Sequence, residues 1–114
     1  MNILLILQYL GCILTALVGA YALFAPAKIV GFTGLAPQGG RGITEIRVIF
    51  GVFFIVLGLF PLLVQNSAAF QMLGYAYFFV GIARIISIFL DKSSSSSNWY
   101  SVAFEIVFGL ILVL

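Results

Sequence analysis

The stretch that decides the fold runs from Ile43 to Leu90 and reads ITEIRVIFGVFFIVLGLFPLLVQNSAAFQMLGYAYFFVGIARIISIFL. Its only charged residues are Glu45, Arg47 and Arg84. A polar Gln-Asn-Ser turn divides it into two apolar runs, each longer than the roughly 20 residues that an α-helix needs to cross the hydrocarbon core of a bilayer. The stretch therefore predicts two membrane-spanning helices, at about 43–65 and 68–90, joined as an antiparallel hairpin.

Two further apolar runs flank this hairpin, at about 3–24 and 98–114. The runs lack the alternation of barrel strands and are too few to close a barrel, so helices are the spanning elements. The sequence predicts an all-α membrane protein, a four-transmembrane-helix bundle that forms a single membrane domain over residues 1–114. The last run is short, which leaves two explanations open. Its helix begins at Ser97 or Asn98 as the N-cap, or the natural chain extends beyond Leu114.

The composition supports the same class of protein. Of the 114 residues, 64% are hydrophobic and 7% are charged, and the mean hydropathy is +1.29. A soluble domain is about 25% charged, and one core of this size could not bury so much apolar surface. These values exclude a water-soluble globular enzyme and a disordered chain. The net charge of +2 is too small to indicate nucleic-acid binding.

Several kinds of chemistry are excluded by residues that the sequence lacks. It has no histidine, which removes the commonest general base and metal ligand. Its one cysteine, Cys12, cannot form an internal disulfide. Only Glu45 and Glu105 could contribute metal ligands together, and the two arginines nearby would oppose a cation, so we predict no metal site. Because the sequence contains no catalytic set of residues, we also predict no enzymatic activity. The stretch Gly39–Gly42 lacks the spacing and lysine of a phosphate-binding loop, and we predict a mobile turn there.

The connections between the spans differ in charge. In a four-span chain the connections at 25–42 and 91–97 lie on one side of the membrane, and they carry Lys28, Arg41 and Lys92. The opposite side carries no lysine or arginine. Because positively charged connections favour the cytoplasmic side, we predict cytoplasmic long connections and both termini outside.

The two long connections also differ in structure. The first contains apolar residues that could lie along the membrane interface as a short helix begun at Pro26. The second contains five consecutive serines, and we predict a flexible polar linker without a chemical role.

Glycines recur at helical spacing within the spans. Pairs seven residues apart mark one face of each of the two central helices. Small residues allow membrane helices to approach closely, so these positions predict helix packing inside the protein or, as the second explanation, docking onto another protein. The predicted helix-packing residues are Gly51, Gly58, Gly74, Gly81 and Gly109.

Four charged residues, Glu45, Arg47, Arg84 and Glu105, fall inside the spans. Each costs on the order of 2.5–3.5 kcal/mol near a helix centre. Their predicted depths agree, and we expect one layer in which Arg84 or Arg47 pairs with Glu105. Glu45 would close the network or stabilise the N-terminus of its own helix. Three interpretations stay open: a structural ion network, snorkelling arginines, or a site for a lipid head group, quinone carbonyl or small anion.

The order of these residues is itself a pattern: Glu45-x-Arg47-x-x-x-Gly51, then Gly81-x-x-Arg84, then Glu105. It resembles an uncharacterised family of small four-helix proteins of the bacterial inner membrane. The resemblance covers essentially the whole chain and implies a multi-pass protein of the bacterial inner (plasma) membrane, with the charged residues as signature positions. It implies no activity. The serine run departs from the family pattern, which usually has an Asp-Gly turn there.

The functional expectation follows from size, composition and the small-residue faces. We expect a non-enzymatic integral membrane subunit that packs against, stabilises or helps assemble a larger inner-membrane complex, respiratory or photosynthetic. The alternative is a small homo-oligomeric carrier or binder of an amphiphile, lipid head group or anion at the Arg/Glu layer. We predict no cofactor, although a bound lipid, quinone or pigment would be compatible. The expected partners are membrane lipids and other membrane-protein subunits, with no nucleic acid.

Overall fold

The computed structural model describes residues 2–114, which contain five α-helices and no strand. The helices are α1 (Ile3–Phe24), α2 (Val30–Thr33), α3 (Gly39–Val64), α4 (Ser67–Leu90) and α5 (Ser96–Val113). All except α2 are long and apolar enough to cross a membrane. This confirms the predicted all-α class with four transmembrane helices, and the chain is a multi-pass membrane protein.

The start of α3 differs from the prediction. The predicted span at 43–65 begins too late and the predicted mobile turn at Gly39–Gly42 is wrong, because these glycines form the first turn of the helix. Gly39 has a φ of +64°, a left-handed value that glycine adopts without steric cost. The helix is then supported by an ion pair one turn apart, between Arg41 and Glu45. This support offsets the poor helix propensity of glycine, on which the turn prediction rested.

The start of α5 also lies earlier than predicted, at Ser96. Its N-cap is Ser95, whose hydroxyl accepts a hydrogen bond from the backbone N–H of Asn98 at 3.3 Å. The predicted caps, Ser97 and Asn98, are therefore both inside the helix. Because the cap moves upstream, the connection from α4 shortens to residues 91–95.

The first connection contains the short helix predicted to begin at Pro26, and its position at the membrane interface stays a prediction. A 3-10 turn at Pro26–Ile29 leads directly into α2, so the chain is helical from Pro26 onward, as expected. The helix ends at Thr33, and its C-cap, Gly34, has a φ of +73° and donates its N–H to the carbonyl of Val30 at 2.8 Å. The predicted connection of 25–42 therefore has regular structure over most of its length.

The chain forms two compact units, and the first joins the N-terminal residues up to Tyr9 with Gln65–Leu114. Within it α4 and α5 lie antiparallel and in close contact. A Cβ atom on Gly74 would lie 2.8 Å from the carbonyl oxygen of Gly109, and one on Gly109 would lie 2.8 Å from the backbone nitrogen of Phe78. These two glycines therefore set the distance between the helices.

The second unit, Leu10–Val64, packs the rest of α1 against α3 in the same manner. A Cβ atom on Gly19 would lie 2.6 Å from the carbonyl oxygen of Gly51, and one on Gly58 would collide with the carbonyl oxygen of Cys12. The structure places each of the five predicted helix-packing glycines against a neighbouring helix of its own unit. Within α3, residues Ile46–Val52 form a π-helical segment, which the sequence did not predict.

Candidate functional site

The centre of the candidate site is a two-pronged ion pair between α4 and α5. Arg84 Nε donates to Glu105 Oε1 at 2.8 Å, and Arg84 Nη2 donates to Glu105 Oε2 at 2.9 Å. Parallel N–H···O bonds of this kind fix the relative orientation of the two planar groups as well as stabilising them. The Glu105 side chain is only 9% exposed, whereas that of Arg84 is 34% exposed. Of the pairings that the sequence left open, the structure contains the one between Arg84 and Glu105.

A glycine makes this ion pair possible. Gly81 precedes Arg84 by one helical turn, and a Cβ atom on Gly81 would lie 3.2 Å from the Cβ atom of Glu105 and 2.8 Å from Cδ1 of Ile106. With no side chain at Gly81, α5 can approach α4 beside Glu105. The short distance between the backbones lets the carboxylate reach the guanidinium directly.

Asn98 is a third member of the site, which the sequence analysis missed. Its Oδ1 accepts a hydrogen bond from Arg84 Nη1 at 3.0 Å, while its Nδ2 donates to the carbonyl oxygen of Ser93 at 2.9 Å. The signal that could have found it is spacing: Asn98 precedes Glu105 by seven residues, or two turns, and so shares its helix face.

The serine run takes part in this arrangement. The prediction of a linker without a chemical role is therefore corrected: Ser93 accepts hydrogen bonds from Asn98, and Ser95 caps α5. In addition, Ser94 Oγ accepts a hydrogen bond from the indole N–H of Trp99 at 3.0 Å. Serine hydroxyls bond readily to nearby backbone and side-chain groups, which lets a short polar connection hold a defined turn.

An open pocket of about 380 Å³ lies beside the guanidinium of Arg84. Its polar lining consists of Arg84, Ser87, Asp91, Ser93 and Asn98. A guanidinium has five N–H groups, and those of Arg84 make three hydrogen bonds. One N–H on Nη1 and one on Nη2 thus have no acceptor among the residues that the structure describes, and they are available to a ligand.

The other two predicted site residues have partners of their own within the second unit. Glu45 pairs with Arg41, and their side chains are 50% and 81% exposed. The expectation that Glu45 stabilises the N-terminus of its helix is wrong, because α3 begins six residues earlier. Arg47 donates from Nη1 to the carbonyl oxygen of Leu23 at 3.1 Å. The common layer of four charges stays a prediction.

No group of three or more His, Cys, Asp or Glu residues within 2–114 is placed to hold a metal ion.

This geometry defines the class of the protein. It is a helical multi-pass membrane protein in which a two-pronged ion pair joins two spanning helices. The family model for a domain of unknown function, DUF4345, matches residues 1–114, so the chain belongs to that family. The expected membership of an uncharacterised family is confirmed. Comparisons with curated proteins and with solved structures gave no match.

Proposed function

We propose that this protein is a non-enzymatic subunit that packs against, stabilises or helps assemble a larger membrane complex, of the respiratory or photosynthetic kind. The observation that carries the proposal is the use of both arginines of the spans. Arg84 connects α4 to α5 through Glu105, and Arg47 connects α3 to α1 through the carbonyl of Leu23. These guanidinium groups hold helices together, which supports a structural role.

The contact made by Arg47 has a clear physical purpose. Leu23 is the penultimate residue of α1, so its carbonyl oxygen is one of the last four that have no acceptor role within the helix. A positive charge at a helix C-terminus is favourable, typically by about 0.3–1 kcal/mol. Arg47 therefore caps the C-terminus of α1, and α3 packs against α1 at Gly51.

The lateral surface of the helices supports a role in association. Large apolar side chains cover much of the exposed surface of all four spanning helices, including Phe53, Phe60, Phe79 and Phe89, each at least 54% exposed. Lipid tails cover such surfaces in isolation, and the apolar faces of other membrane proteins can replace them at little cost. A small scaffold with this surface is suited to filling space beside a larger subunit.

The proposed location is the inner membrane of a bacterium, with both termini outside. The orientation is supported by Lys28 and Lys92 in the two connections and by Arg41 near the start of α3, which favour the cytoplasmic side.

The proposal is tested by extracting native membranes in a mild detergent, separating complexes on a native gel, and identifying by mass spectrometry the proteins that migrate with this chain of 12.4 kDa. A band of several hundred kilodaltons with partners at constant stoichiometry is expected. Deleting the gene should then lower the amount of that complex, and restoring it should return the amount to normal. A band of a few tens of kilodaltons that contains only this chain would overturn the proposal in favour of the carrier alternative.

A further inference from the structure

The pocket beside Arg84 lies near the end of α4 and the start of α5, and the ends of spanning helices are expected at the level of the lipid headgroups. It extends from Arg84 to Asp91 at the end of α4, seven residues and about 10 Å along the helix. Trp99 and Tyr100, which prefer the membrane–water interface, lie in the first turns of α5 beside it. A pocket at this level is therefore accessible to the polar part of a lipid that lies alongside α4 and α5.

Hydrogen bonds within the protein fix the orientation of the Arg84 guanidinium, which can bind an oxygen ligand. Glu105 binds its Nε and Nη2 atoms and Asn98 binds its Nη1 atom, so the group cannot rotate freely. Two N–H groups are left over, and phosphate oxygens, like carboxylate oxygens, match the geometry of a guanidinium group. Because the position is fixed by the protein, binding costs little additional ordering of this side chain.

The charge of the pocket excludes a simple anion as the preferred ligand. Glu105 already neutralises Arg84, and Asp91 contributes a carboxylate to the lining. The Asp91 carboxylate has no hydrogen-bond or ion-pair partner among the described residues, and the neighbouring Lys92 does not line the pocket. A ligand that suits this lining has an oxygen-rich group for Arg84 and a positive group for Asp91.

We propose that the Arg84 pocket binds a phospholipid headgroup that carries both a phosphate and a primary ammonium, of the phosphoethanolamine type. The phosphate accepts the two remaining N–H groups of Arg84, and the ammonium donates to the carboxylate of Asp91. Asp91 is the C-cap of α4, seven residues after Arg84, and both residues line the pocket, as this placement requires. The site does not depend on the proposed subunit role, because a lipid can be held by a free protein or by an assembled one.

The test measures lipid binding by the purified full chain in detergent, by native mass spectrometry and by thermal stabilisation. Three diacyl lipids with the same tails are compared: phosphatidylethanolamine, phosphatidylcholine and phosphatidylglycerol. We expect the ethanolamine lipid to bind best, since the choline lipid has no N–H to donate and the glycerol lipid has no positive charge. Free phosphoethanolamine and inorganic phosphate, added separately, distinguish a lipid site from a site for a soluble phosphate compound.

The decisive variant is Asp91→Asn, which removes the charge from an exposed side chain without a partner and so should fold normally. It should reduce the preference for the ethanolamine lipid over the glycerol lipid by roughly twofold to fivefold, the effect of one partly exposed charge pair. Lys92→Gln is the matched control, an adjacent exposed charge outside the pocket, and should leave the preference unchanged. Equal binding of the three lipids by the wild type, an unchanged preference in Asp91→Asn, or equal stabilisation by inorganic phosphate would overturn the proposal.

Discussion

Glu105 is the residue at which burial and charge conflict most strongly. Its side chain is among the most buried polar groups of the described residues, and its neighbours along α5, from Val102 to Phe108, are apolar. A buried carboxylate is tolerated when it is paired and when its oxygens are hydrogen-bonded, and both oxygens of Glu105 accept from Arg84. The stability of the buried carboxylate thus depends on Arg84, so a substitution of Glu105 tests the contribution of this ion pair.

We expect Glu105→Gln to destabilise the protein. The amide can accept only one of the two hydrogen bonds and leaves the charge of Arg84 uncompensated, a loss of about 1–3 kcal/mol for a partner that is itself one-third exposed. The corresponding decrease in Tm is roughly 5–15 °C, measured by thermal unfolding in detergent. Glu45→Gln is the matched control, because its exposed pair with Arg41 contributes only about 0.3–0.5 kcal/mol. Equal Tm values for wild type and Glu105→Gln would refute a structural role for the ion pair.

The sequence predicted two of the three site residues, Arg84 and Glu105, and missed Asn98 for a physical reason. Arg84 and Glu105 were identified because a charge in an apolar helix is costly and because both share faces with small residues. Asn98 was missed because an asparagine near a helix start has two uses, as a cap and as a hydrogen-bonding partner in a network. In the structure Ser95 is the cap, so the Asn98 side chain is free to bond to Arg84, and the sequence alone does not show which residue is the cap. The partner of Glu45 was missed because Arg41 was assigned to a turn.

At the scale of the elements, each unit is a pair of helices held by glycines. α4 and α5 meet at Gly74, Gly81 and Gly109, and the atoms that face Gly74 and Gly109 include backbone atoms, which cannot move aside as a flexible side chain can. Without a hydrophobic effect between helices in lipid, such close packing is a main source of association. A methyl group at one of these positions should therefore separate the pair.

Gly109→Ala is expected to destabilise the contact between α4 and α5 by about 1–3 kcal/mol, the usual cost of overpacking. The new Cβ atom would lie 2.8 Å from the backbone nitrogen of Phe78. Gly40→Ala is the control, since no other atom lies within 4 Å of its Cβ position and alanine has the higher helix propensity. Gly40→Ala should leave Tm unchanged or raise it, whereas Gly109→Ala should lower it. A Tm for Gly109→Ala equal to that of Gly40→Ala would mean that the helices do not pack at this glycine.

The bounds of the elements could be predicted only where composition decides them. α1 has the predicted limits because a chain of 22 residues without a charge has one way to cross a membrane. The start of α3 was predicted too late, because glycines lower helix propensity. The ion pair between Arg41 and Glu45 compensates for this in the structure. The π-helical segment at Ile46–Val52 has no signature in composition, because it differs from an α-helix only in which carbonyl each N–H selects.

At the scale of the whole molecule, the distribution of positive charge is the basis of the proposed orientation in the membrane. The proposed orientation places the connection that contains α2 in the cytoplasm and the turn at Asn66 outside. Two exposed positions can report it: Gly31, whose Cβ position is free of other atoms, and Ser67, the first residue of α4. The native Cys12 is fully buried, so the wild type provides a blank for thiol labelling.

In intact cells, a membrane-impermeant thiol reagent should label Ser67→Cys and should leave Gly31→Cys unlabelled. After permeabilisation both variants should react, which shows that each cysteine is accessible and that the first result reflects sidedness. The physical reason is that Lys28, Arg41 and Lys92 resist transfer across the bilayer, and the opposite side has no lysine or arginine to compete with them. The reverse labelling pattern would place the long connections outside. It would also mean that forces other than this charge bias, such as assembly with a partner subunit, set the orientation.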